Sequence, residues 1–154
     1  MADEGSPPDN TFRLKALLRE AGLRSHRLDA SYRAVSFLGR TREWLLALRL
    51  TADWLNIATT VCEVPREPGV RGRLLEWSME ANPSIVLLKF GTIGNLLVLE
   101  ADYRAEHIDV EVLKNLAALV HSVAEERYPQ VFRIVTGSDV LENLEKSMPQ
   151  SAAS

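Results

Sequence analysis

Nucleophilic or metal chemistry in this chain would have to be built from few groups: one cysteine, Cys62, and three histidines, His26, His107 and His121. Their spacing argues against it. No two histidines stand four residues apart or in a His-x-His pair, the spacings that preform a metal site on a helix or strand. Ser122 adjoins His121, but neighbours in a helix point to different sides. Cys62 has no histidine near it in sequence and reads as a small core residue. The carboxylates of Glu100, Asp102, Glu106 and Asp109 could hold a hard cation, yet they lack the glycine-centred loop of an EF-hand and read as a solvated linker. Gly91-Thr92-Ile93-Gly94-Asn95 has neither the Lys-Ser/Thr of a phosphate loop nor a helix to open. Its glycines and asparagine suit a hairpin turn.

Three tryptophans remain. Trp44 and Trp54, flanking a turn over residues 51–53 as cross-strand neighbours, would form one aromatic patch. That patch reads either as core or as a binding surface, since Trp is enriched at interface hot spots. Trp77 falls on an apolar helical stripe and reads as core or as a dimer contact. No catalytic constellation, metal site or cofactor site is expected, and the chain is read as a non-enzyme.

The elements that must position these residues are legible from periodicity. The 154 residues fit one domain, with 46% apolar and 25% charged residues, an ordinary globular balance. No apolar run approaches the roughly 20 residues of a membrane span, and the acidic N-terminal stretch lacks a signal-peptide core, so a cytoplasmic protein without membrane contact is expected. The net charge of −3 is unevenly divided: residues 1–75 carry +3 and residues 76–154 carry −6. An acidic total with few aromatics disfavours nucleic acid as a partner, while the asymmetry could orient a protein partner.

Residues 1–9 read as a disordered tail. Leu14, Leu17, Leu18 and Ala21 form one helical stripe, capped by Asp9 or Asn10 and ended by Gly22. From residue 27 to 38 the period becomes two, a half-buried strand with Leu28, Ala30, Tyr32 and Ala34 on one face. Residues 43–50 and 54–64 supply two more strands, joined by turns too short for anything but antiparallel pairing. After a Pro-rich loop, Val70, Leu74, Trp77 and Ala81 mark a helix that stops at Asn82-Pro83. Residues 85–90 and 96–101 form a hairpin around Gly91–Asn95; their nearly continuous apolar content suggests strands in mid-sheet with cover on both faces. A polar linker leads to a helix capped by Asp109, buried along Leu113, Leu116, Ala117, Val120 and Ala124, and closed at Tyr128-Pro129. Residues 131–136 read as a short strand or a segment against the core. A capping box at Asp139 predicts a helix to about Lys146, in a C-terminal piece spanning 137–154. The predicted class is α+β: a single curved five-stranded antiparallel sheet, order α-β-β-β-α-β-β-α, with helices mainly on one face.

That order, with LLEWSMEANPSI at 74–85, KFGTIGNLLVLEADYRAEHID at 89–109 and VEVLKNLAALVHSVAEERYPQVF at 110–132, resembles the YbjN family, small bacterial proteins that share the fold of type III secretion chaperones. The resemblance covers about residues 10–136. It implies a cytoplasmic homodimer with an exposed sheet or helix surface for another polypeptide, of the type described as sensory-transduction regulators, and it carries over no catalytic motif. The expected function is therefore a non-enzymatic protein- or peptide-binding module, chaperone-like or regulatory. Trp44, Trp54, Leu14 and Leu17 are the expected partner contacts and Trp77 the expected dimer contact. The alternative is a small-molecule or metal-ion sensor using the acidic linker and the hairpin.

Overall fold

A computed structural model describes residues 10–137. The expected tail over 1–9, and the C-terminal helix and tail beyond Gly137, lie outside the described residues. The order is α1 (Thr11–Glu20), β1 (Ser25–Arg27), β2 (Arg33–Leu38), β3 (Glu43–Leu50), β4 (Trp54–Glu63), α2 (Pro68–Ala81), β5 (Lys89–Ile93), β6 (Leu96–Arg104) and α3 (Val110–Thr136). The strands form one antiparallel sheet in the order β1-β2-β3-β4-β6-β5.

The sheet has six strands where five were expected, because the predicted strand over 27–38 is two strands and a turn. The Asp29 carboxylate accepts from the backbone N–H of Ser31 and Tyr32, both at 2.8 Å, and Leu28 N–H donates to the Tyr32 carbonyl. An aspartate that caps its own following backbone folds the chain back on itself. The alternation read there belonged to a turn and its flanks.

Helix ends follow local chemistry. Asn10 holds the cap position of α1, but its amide donates to the Thr51 carbonyl at 3.3 Å and its side chain does not cap the helix. Gly22, at φ 74°, ends α1 in the left-handed conformation read for it. Glu67 caps α2, its carboxylate accepting from Gly69 and Val70 N–H at 2.9 and 2.7 Å. Those two bonds lower its pKa, so this cap is present above the ordinary Glu range and is lost as pH falls through the depressed value. Asp109 caps α3 through Val112 N–H, as read.

α3 does not stop at Pro129. It runs on to Thr136, where Gly137 takes φ 64° and closes it. Proline removes one helical hydrogen bond, but the apolar stripe continues through Tyr128, Val131 and Val135, and Val131 is fully buried. Burial of this last stretch offsets the missing bond.

The hairpin is tighter than expected. Only Gly94 and Asn95 form the loop, with Ile93 paired to Leu96. Gly94 at φ 60° occupies the first loop position, where a type II′ turn needs glycine. β6 is longer than expected, to Arg104, because β4 pairs with it along its whole length.

The three α-helices of the described residues pack on one face of the sheet. Leu14 and Leu18 of α1, Leu74 of α2 and Leu113, Ala117 and Val120 of α3 meet Trp44, Leu46, Leu48, Leu55, Ile57, Leu97 and Leu99 in a continuous core. A bulge in β4 between Thr60 and Cys62 leaves two carbonyls for Arg42, whose guanidinium donates to Val61 O at 2.6 Å and Thr60 O at 3.3 Å.

Candidate functional site: the uncovered face of the sheet

Strand parity decides what the other face carries. If Trp44, Leu46, Leu48 and Leu50 point to the core, then Leu45, Ala47 and Arg49 point away. By the same parity Trp54, Asn56, Ala58 and Thr60 of β4 share that outward face, as do Leu96, Val98, Glu100 and Asp102 of β6. Register aligns Ala34, Ala47 and Ala58 side by side across β2, β3 and β4. Ala47 and Ala58, partly exposed, make a shallow floor, while Ala34 beside them is fully buried.

Curvature of the sheet raises walls around it. The β1–β2 turn, with Leu28 and Tyr32, and the β5–β6 tip, with Ile93 and Leu96, line the same cavity as Leu45, Ala47, Ala58 and Val98, a trough of about 660 Å³. A second cavity of about 480 Å³ continues it past Tyr32, Arg49, Trp54 and Asp102. Ile93 is 59% exposed, Leu28 47%, Trp54 45% and Leu45 42%. No helix among the described residues covers these side chains. The polar rim is already engaged: Asn56 donates to Asp102 at 2.8 Å, Lys89 lies 3.9 Å from Glu100, and the Arg104 guanidinium sits over Trp54.

The expected site residues are not brought together. Trp54 is on the trough. Trp44 is fully buried on the opposite face and pairs with Phe37, far along β3 from the Thr51–Asp53 turn, so the two tryptophans form no common patch. Leu14 is fully buried and Leu17 partly buried against the core. Trp77 packs on Phe90 at 5.1 Å between ring centroids and donates to Gln130 at 3.1 Å.

The residues weighed for chemistry are also dispersed. Asp109 is a helix cap, Glu106 lies 3.5 Å from both Arg104 and His107, and Glu100 and Asp102 have the partners given above. Among the described residues no three His, Cys, Asp or Glu converge as metal ligands. His121 stacks on Phe37 at 5.0 Å. Burial pushes the Cys62 thiol up to about 11, with Arg42 pulling weakly the other way. At pH 8 the thiolate is then about a hundredfold scarcer than for a thiol near 9, partly offset by greater nucleophilicity. Cys62 should react with a disulfide reagent about tenfold more slowly than a free thiol; equal rates would contradict this burial.

Sequence reasoning missed Leu28, Tyr32, Leu45, Ala47, Ala58, Ile93 and Val98 as a set. The signal was present. Residues 85–90 and 96–101 are almost wholly apolar, a pattern that suggests cover on both faces. β5 is instead an edge strand, and no helix among the described residues covers Leu45, Trp54 or Ile93 on the second face.

No protein-family model matches the chain, and no curated protein is similar to it. Solved structures are. The fold is an α+β, type III secretion chaperone-like one. A chain of the HopA1–SchA chaperone–effector complex matches at TM-score 0.52 and 13% identity, over 77% of this chain and 91% of that one. A chain of the ExsC–ExsE complex matches at 0.54 and 22%, over 78% and 94%. A third, from the heterodimeric ExoU–SpcU complex of the Pseudomonas aeruginosa type III secretion system, matches at 0.52 and 19%, over 80% and 98%. At these identities the likeness concerns the fold.

Proposed function

We propose that this chain is a non-enzymatic, chaperone-like or regulatory protein-binding module, of the YbjN type, acting in the cytoplasm. The trough carries the reading. It is apolar, long and open, whereas small-molecule sites enclose most of their ligand. Its occupant is a segment of a second polypeptide that lays an apolar face on the alanine floor between Tyr32 and Ile93, with Trp54 as an aromatic contact at one end. The presence of similar folds in complexes with other proteins supports this reading. The chain is proposed to dimerise through the edge formed by α2 and β5. Met79 of α2, and Val86 and Leu87 just before β5, are 75%, 76% and 62% exposed, and Trp77 of α2 is partly buried.

The test places charge on the floor. Ala47→Glu and Ala58→Glu add a carboxylate to an exposed face and leave the core intact. Each should weaken partner binding at least about tenfold, since the docked segment would bury an unpaired charge. Proteins cross-linked through a photoreactive side chain at Leu45 should be lost in both variants while the melting temperature is retained. Capture that is indifferent to both charges would exclude the trough.

A further inference from the structure

The basic excess of residues 1–75 is not spread evenly. Lys15 and Arg19 on α1, Arg24 in the link to β1, and Arg33 at the start of β2 line one cavity of about 410 Å³ under the C-terminal end of α1. Among the described residues no carboxylate lines it, and none of the ion pairs involves these four cations. The negative end of the α1 dipole accounts for Arg19. It does not account for the other three.

Arg33 is the informative member. It is 8% exposed, yet its described donors reach only Ser25: Nε to the hydroxyl oxygen at 2.8 Å and Nη2 to the carbonyl at 3.2 Å. A guanidinium has five N–H groups, so a buried cation is held in place with donors to spare. Because the Ser25 hydroxyl accepts from Arg33, its own proton remains free to donate. Like charges gathered without a counter-ion repel one another, and an anion in their midst reverses that cost.

We propose that this cavity binds a compact di- or oligophosphate group, with Arg33 and Ser25 at its floor and Lys15, Arg19 and Arg24 closing over it. Guanidinium forks match phosphate oxygens. The cations come from three separate segments and surround one hollow, which suits a compact polyanion better than an extended acidic peptide. No aromatic side chain among the described residues lines the cavity, so a nucleotide base would add nothing. The site is separate from the trough and does not depend on the protein-binding reading.

The probe is sodium pyrophosphate, titrated calorimetrically into the full chain at low salt, with sodium chloride at matched ionic strength as control. Saturable heat is expected, with a rise in melting temperature and weakening as salt increases. Arg19→Gln and Arg24→Gln, both exposed and remote from the core, should each weaken binding about fivefold to tenfold, and Arg33→Lys should weaken it more by losing the fork. ATP should bind no more tightly than tripolyphosphate. Phosphatidylcholine vesicles with a minor share of phosphatidylinositol bisphosphate separate the sources: sedimentation reversed by pyrophosphate identifies a lipid headgroup, and no sedimentation a soluble anion. Absence of heat at about 1 mM pyrophosphate, or binding unchanged in Arg19→Gln and Arg24→Gln, would overturn the proposal.

Discussion

Truncating Trp44 to alanine is expected to lower the unfolding free energy by about 3–5 kcal/mol, much of the stability a domain of this size has. The side chain is fully buried. Its Nε1–H donates to Glu125 at 2.5 Å, the Tyr128 ring meets it edge-on at 5.3 Å, and the Arg42 guanidinium lies 3.9 Å above it. Alanine would leave a cavity and also remove a donor from Glu125, which among the described residues otherwise accepts only from Arg40 N–H at 3.2 Å. Trp44→Phe separates the two effects. It keeps most of the ring and loses the N–H, at a cost of about 1–3 kcal/mol. Urea unfolding followed by circular dichroism measures both. A loss under about 1 kcal/mol for Trp44→Ala would mean the residue is not core, and would restore it as a candidate partner contact.

The second large effect is expected at Asn82→Ala, about 2–3 kcal/mol. β5 is an edge strand, and an edge presents unpaired backbone groups. At Phe90 the Asn82 amide fills the place of a missing neighbour. Its Oδ1 accepts from Phe90 N–H at 2.7 Å and its Nδ2 donates to Phe90 O at 3.1 Å. Alanine would orphan both groups beside a residue that is 5% exposed, and would bare the strand to edge-to-edge pairing. Lower urea midpoints should therefore come with association beyond that of the wild-type chain in sedimentation. Asn82→Asp keeps the acceptor and loses the donor, so it should fall between wild type and alanine. An unchanged midpoint for Asn82→Ala would show that the pairing contributes nothing.

The departures from the expected elements share a cause. Asp29 turned a strand into a hairpin because two side-chain hydrogen bonds outweigh a short period-two pattern. Pro129 reads as a stop, yet Val131 lies at the next position of the buried stripe, and a long-range contact outweighed a local penalty. Asn82 could be recognised as a helix end from sequence. Its second role, pairing with a strand eight residues on, could not. The basic cavity is the extreme case: Lys15, Arg19, Arg24 and Arg33 span nineteen residues and appear as scattered surface charge until the link after Gly22 folds them around one hollow.

Periodicity by itself determined that this chain builds helices and antiparallel strands, and which residues of β4 share a face. These are local properties, set by side-chain direction along a helix or strand. Only the tertiary structure decided which of two apolar strand faces the helices cover. With three helices on one side, Trp44 and Leu14 became core while Leu45, Trp54 and Ile93 were left facing outward. Parity tells which residues travel together, and the packing of distant segments tells which group meets water.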